Sequence, residues 1–225
     1  MDYLKNPVAL IFIGWLLAQG TTVFRDWAQR IRLKKNLFIE LKDLAVQVDR
    51  RILSYMRLVQ GSTVGVVEHS ISAPINSYYF KNYYKDIFSA LNHDQRLSYQ
   101  LIHESIDSLN ELELRLDNKA GDTINKLQSS HDRATELQLL KEWAELVKHA
   151  FVAANDTRWH IDYHLASPRN PSLDLLGPMH EAFLKHKMII EANLTSIIEK
   201  AKLFPQSKFQ QTYNPKDFNH DSPAS

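Results

Sequence analysis

Between Asn6 and Phe24 the chain reads NPVALIFIGWLLAQGTTVF, nineteen consecutive residues without a charge. Such a run leaves three solutions: a membrane anchor, a cleaved export signal, or one buried helix of a soluble bundle. As a helix it rises about 28 Å, close to the roughly 30 Å hydrocarbon core of a bilayer. Val8, Leu10, Ile11, Phe12, Ile13, Leu16, Leu17, Val23 and Phe24 each favour insertion by about 0.3–0.6 kcal/mol, on the order of 3–5 kcal/mol together. Asn6, Gln19, Thr21 and Thr22 subtract from that sum. Trp15 falls near the middle, and Trp27 at the boundary, where an indole settles at headgroup level.

The flanks decide between the three. Only Asp2 and Lys5 precede the run, whereas Arg25, Arg30, Arg32, Lys34 and Lys35 follow it against the single acid Asp26. The positive-inside bias places the N-terminus outside and everything after Phe24 in the cytoplasm. A cleaved signal needs a basic n-region, and here the basic cluster lies on the other side, although Ala18-Gln19-Gly20 resembles a cut site. The expectation is a single-pass protein of the cell membrane. Residues 1–6 lie outside, 7–27 span the bilayer, and a cytoplasmic domain occupies 28–204. Trp15, Trp27, Arg25, Arg30, Arg32, Lys34 and Lys35 contact lipid, each surface charge contributing roughly 1 kcal/mol on an anionic membrane.

Glycine and proline are sparse, 6 and 8 residues, so the long stretches between them read as helices. From Phe24 the apolar positions follow a 3-4 spacing through Trp27, Ile31, Phe38, Leu41, Ala45, Val48, Ile52, Tyr55 and Val59, interrupted at Lys34. Leu37 and Leu44 widen this stripe toward what a bundle needs. Helices are expected at about 28–60, 75–91, 94–118, 131–166 and 178–204, followed by a disordered tail at 205–225. No strand alternation is visible, and the class is all-α. The long first helix, with its heptad-like seam, is expected to join copies of the chain into a homo-oligomer.

Composition narrows the functions. Lys+Arg is 27 and Asp+Glu 26, so no overall field favours nucleic acid. Without cysteine there is no disulfide framework, thiolate metal site or cysteine nucleophile. The sharpest chemical cluster is NDTRWHIDYH, where Asp156, His160 and His164 recur at i, i+4 and i+8 with His149 on the same stripe. Two imidazoles and a carboxylate begin a zinc or iron site, and His180, Glu181 or His186 from another helix could complete it. The same stripe also reads as the polar flank of a helix whose core face runs through Ile161 and Leu165. His93-Asp94 and His131-Asp132 fall at helix starts, where the acids read as caps. GSTVG, Gly61 to Gly65, lacks the lysine and the preceding strand of a phosphate loop.

The stretch PINSYYFKNYYKDIF carries more aromatic rings than one buried stripe absorbs, so Tyr78, Tyr79, Tyr83 and Tyr84 are candidates for a partner surface. No cofactor is expected. The reading that results is a membrane-anchored helical bundle acting through an unidentified protein partner as scaffold, sensor or accessory subunit. Two rivals stand beside it: a metal-dependent hydrolase built on the Asp156 stripe, and an effector whose anchor perturbs the bilayer.

Overall fold

Helix α1 dominates the molecule, running unbroken over Pro7–Thr63, 57 residues, or about 85 Å. The computed structural model describes residues 7–69, 72–174 and 176–216. The expected extracytoplasmic residues 1–6 and the last part of the expected tail, 217–225, lie outside the described residues. Helix α1 passes through Gly61 and stops at Thr63, because the left-handed turn that ends it is made by Gly65 (φ 79).

Four further helices complete the body: α2 (Tyr78–Ile87), α3 (His93–Ser129), α4 (Arg133–Ala166) and α5 (Pro178–Ala201). A 3-10 turn, Phe88–Ala90, prolongs α2. The molecule is all-α, a helical bundle, with no strand among the described residues. Helix α3 begins at a capping box in which Asn92 and Gln95 exchange bonds, so Asn92 and not Asp94 is its cap. It continues through Gly121 to Ser129, past its expected end. One glycine costs about 1 kcal/mol in a helix, and the burial of Leu116, Ala120 and Thr123 outweighs it. Asp132 caps α4 by accepting the N–H groups of Ala134 and Thr135.

The core lies where α1 and α4 pack antiparallel. Leu37, Leu41, Leu44, Val48, Tyr55 and Val59 of α1 are almost fully buried, as are Val147, Ala150, Phe151, Ala154 and Ile161 of α4. Arg158 of α4 reaches Asp49 of α1 at 2.8 Å and closes the rim of the contact. Helix α3 runs antiparallel to α4, with Ser98 beside His164 at one end and Lys119 beside Glu142 at the other. Helix α5 returns along α4 and α1, burying Ile190 and Ile197. The heptad-like seam therefore divides. From Leu33 onward α1 buries its stripe inside its own bundle, centred on Leu37, Leu41 and Leu44, while Phe24, Trp27 and Ile31 stay exposed.

Polar groups inside the bundle fix its register. Arg51 pairs with Glu113 of α3 at 2.5 Å and donates to the Ala73 carbonyl at 2.8 Å. The Tyr55 hydroxyl donates to the same carboxylate at 2.9 Å. Glu40 does the work of a distant cap: Ser77 makes no side-chain cap bond, and Glu40 of α1 instead accepts the N–H groups of Tyr79 (2.6 Å) and Phe80 (3.0 Å).

Residues 205–216, expected to be structureless, run back over the bundle. They form α6 (Gln206–Phe209), bury Phe209, and join Gln60 through the Tyr213 hydroxyl (3.0 Å) and the Pro215 carbonyl (3.1 Å). Two aromatic rings in a polar tract supply the apolar anchor that its composition obscures.

The expected span at 7–27 is not met in this form. Among the described residues no helix is long and apolar enough to cross a membrane. Gln19, Gly20, Thr21 and Thr22, then Arg25 and Asp26, interrupt the apolar run.

Replacing Leu44 with alanine should lower stability by about 2–5 kcal/mol in urea unfolding, whereas Val46→Ala, 52% exposed, should stay within about 0.5 kcal/mol. Glu113→Ala should cost about 3–5 kcal/mol, because it strands the buried Arg51 guanidinium.

Candidate functional site

Two regions stand out from a packed bundle: the part of α1 that leaves it, and a groove along α4.

Every described residue from Leu10 to Arg32 is exposed. Leu10, Ile11, Phe12 and Ile13 are 53%, 73%, 59% and 42% exposed, and Leu16, Leu17, Val23 and Phe24 are similar. Four consecutive helical residues, at about 100° each, point in every direction around the axis, so no one-sided surface could cover them all. Further on the pattern changes. Val23, Phe24, Trp27 and Ile31 share one stripe, with Arg25, Gln29 and Arg32 opposite, an amphipathic section suited to an interface. Phe12 stacks on Trp15, and the Phe24 ring lies 5.7 Å from that of Trp27. Arg25, Arg30, Arg32 and Lys35 are exposed, while Lys34 turns back and donates to Gln95 at 3.2 Å.

The groove, about 590 Å³, lies between α3 and α5 with α4 as its floor. His149, Asp156 and His160 of α4 line it, opposite Glu104, Ser108 and Arg115 of α3 and beside Phe183 of α5. Most of the α4 stripe singled out in the sequence thus shares one surface. His164 does not. Eight residues carry a helix about 80° beyond two full turns, and this rotation puts His164 into the core, 1% exposed, with Nδ1 2.8 Å from the Ser98 hydroxyl. Asp156 turns to α5, its carboxylate 3.4 Å from His186 Nε2 and 3.6 Å from Lys187 Nζ. His160 packs against the Trp159 and Phe183 rings. Among the described residues no group of three His, Asp or Glu side chains is placed to hold a metal ion. Asp156, His160 and His164 accordingly do not form the three-ligand site that their spacing suggested.

The tyrosines of α2 separate as well. Tyr78 (56% exposed) and Tyr79 (36%) stay at the surface, where their rings and that of Tyr83 cluster within 5.7–6.2 Å. Tyr83 and Tyr84 also pack against the core. Tyr84 lies over Phe80 at 4.4 Å and donates to the Arg96 carbonyl at 3.2 Å.

Beneath α2 lies a pair that the sequence reading passed over. His103 is 2% exposed, stacks on Phe80 at 3.7 Å and sits 3.9 Å from the Glu40 carboxylate. Burial pushes His103 down to about 3 and His164 to about 4, so both imidazoles are neutral at physiological pH. Burial pushes Glu40 the other way, upward, against the two N–H groups that hold it down.

These shifts have a sign. A histidine depressed on folding contributes stability above its unfolded value of 6.5, and that contribution is lost as the pH falls toward the folded value. Glu40 acts in the opposite sense and offsets part of the loss. Between pH 7 and pH 5 the two buried histidines should each withdraw about 2 kcal/mol, measured as a falling urea midpoint; a flat profile would show that neither is neutral and buried. Compared with protein-family models, curated proteins and solved structures, the chain finds no match, so its function rests on its own geometry.

Proposed function

We propose that the protein is a helical bundle held at a lipid bilayer by the first third of α1, where it acts through protein–protein interaction as a scaffold, sensor or accessory subunit. The observation that carries this reading is the all-round exposure of Leu10, Ile11, Phe12 and Ile13 on a helix that is otherwise part of a well-packed core. Covering the exposed apolar residues of this segment is worth on the order of 10 kcal/mol. A surrounding apolar medium suits them better than a groove, which reaches only one side.

Length is the point of tension. From Leu10 to Phe24 the helix rises about 22 Å, and from Pro7 about 27 Å, against a hydrocarbon core of roughly 30 Å. A short segment is accommodated by local thinning and by anchoring residues at the interface, at fractions of a kcal/mol per Å. Trp27 and the basic cluster Arg25, Arg30, Arg32 and Lys35 provide that anchoring, and by the positive-inside bias the bundle lies on the cytoplasmic side. Self-association through α1 then falls to the residues that the bundle leaves uncovered, Phe24, Trp27 and Ile31, together with the apolar segment. Surfaces for another protein remain on α5, where Leu184, Met188 and Ile189 are 49%, 70% and 62% exposed, and at Tyr78 and Tyr79.

The full chain should sediment with membranes and resist alkaline extraction. The double substitution Ile13→Lys, Leu17→Lys should release it, since each lysine at depth costs about 2.5–3.5 kcal/mol. Full-length protein that stays monodisperse in detergent-free buffer, with no membrane fraction, would count against the anchor. Crosslinking from native membranes should recover a discrete partner.

A further inference from the structure

At the end of the bundle away from the exposed segment, three elements enclose a cavity of about 460 Å³. The end of α1 and its turn, Ser62 to Gly65, form one side, and Ile198 and Lys202 of α5 form another. Between them lies α4, with Leu137, Leu140 and Ala144 as an apolar floor. Two small residues keep the space open. Ala144 fills little of it, and Gly65, which the turn requires for its φ of 79, places no side chain there. A Cβ on Gly65 would stand 3.7 Å from Leu140 Cδ1. The volume falls within the roughly 300–1,000 Å³ of small-molecule sites.

The walls carry charge of one sign. Arg133, Lys141, Lys148 and Lys202 line the cavity, and among the described residues no Asp or Glu does. Two of these cations are answered from within α4, Arg133 by Glu136 at 3.0 Å and Lys148 by Glu145 at 2.8 Å. Lys141 and Lys202 are not: among the described residues neither lies within salt-bridge range of a carboxylate. The other acids of these segments are engaged or turned away. Asp132 caps α4, Glu142 pairs with Lys119 at 2.7 Å, and Glu199 is exposed and outside the cavity. Nor do the helix ends occupy the two lysines. The Gly61 and Ser62 carbonyls already accept the N–H groups of Val64, Gly65 and Val66, and those of Ile198, Lys200 and Ala201 accept Lys202, Leu203 and Phe204. The groove over α4 differs in kind, since Glu104, Glu111 and Asp156 line it against Arg115.

We infer that this cavity binds a phosphate monoester with an apolar body. A monoester carries a charge of about −1.5 to −2 at neutral pH, which matches the two lysines left without a carboxylate. Their ammonium groups take phosphate as compact point charges, with charge-assisted hydrogen bonds. Leu140, Ala144 and Ile198 receive the body, and Leu137, 52% exposed, stands where the body would cover it. The site itself does not depend on the membrane reading of α1, but the source of the ligand does. Thr63 lies about 60 Å along the helix from Phe24. A headgroup of the anchoring bilayer is out of reach at that distance, so the ligand is a molecule free in solution. The bundle thereby gains an input of its own, at the end opposite its anchor.

Full-length protein in phosphatidylcholine nanodiscs is dialysed to equilibrium against 1-naphthyl phosphate, with empty nanodiscs as the blank. Saturation at one site per chain is expected. The pair Lys141→Gln, Lys202→Gln should weaken binding about tenfold or more, and Lys141→Arg, Lys202→Arg should keep it within about threefold. Both lysines are exposed, so both pairs should retain the wild-type melting curve. 1-Naphthol and inorganic phosphate should each bind at least about tenfold more weakly than the monoester. Absence of saturation, or equal affinity in wild type and the glutamine pair, overturns the site. Inorganic phosphate or naphthol binding as tightly as the monoester overturns the ligand class, since one half of the molecule would then suffice. None of these outcomes bears on the anchor, which membrane fractionation tests separately.

Discussion

The antiparallel contact of α1 with α4 is the constraint on which the rest of the structure depends. Leucines of α1 meet a stripe of α4 that contains Ala150 and Ala154, and these small residues let the two axes approach closely. Once that contact forms, α3 and α5 have a two-helix ridge to pack against, and each lines one side of the groove over α4. Dispersion and apolar burial supply the stability, but they are tolerant of sliding by a turn. The buried groups are less tolerant. Arg51 must meet Glu113 and the Ala73 carbonyl together, and Glu40 must meet the first turn of α2. A slip of one turn would leave charges unpaired in the interior, at several kcal/mol each.

The helices were largely legible in the sequence because glycine and proline are few and apolar spacing is regular. The departures have specific causes. Gly121 marked an end that packing overrode, and Gly61 marked one that Gly65, four residues later, supplies instead. The tail was concealed by polar composition around Phe209 and Tyr213. The seam of α1 reads as one stripe, and spacing alone does not reveal that its two halves face different surroundings. That difference depends on where α3, α4 and α5 stop, which is a property of the fold and not of the helix.

The candidate site was legible in a similar, partial way. His149, Asp156 and His160 do share a surface, because neighbours three, four and seven apart remain on one side of a helix. Extending the same stripe to His164 neglects the cumulative drift of the helical repeat, which sends that ring inward. Glu40 and Arg51 left a signal that could have been read: each sits on the same face as Leu37, Leu44 and Tyr55, where a charge requires a buried partner. Which partner it would be depends on the placement of α2 and α3 beside α1: the first-turn N–H groups of α2 for Glu40, and Glu113 of α3 for Arg51.

Helix α1 is also a lever. It has no interior proline, and its exposed glycines, Gly14 and Gly20, have nothing near them for a side chain to strike. From Leu33 to Leu10 the arm measures about 35 Å, so a rotation of about 10° at the bundle displaces its tip by about 6 Å. The converse holds with equal force. Whatever fixes the inclination of the outer arm also orients the bundle, because a continuous helix transmits torque where a flexible linker would absorb it. Position and attitude are therefore set together, and a glycine-serine insertion near Arg32 would uncouple the two without touching a single core contact.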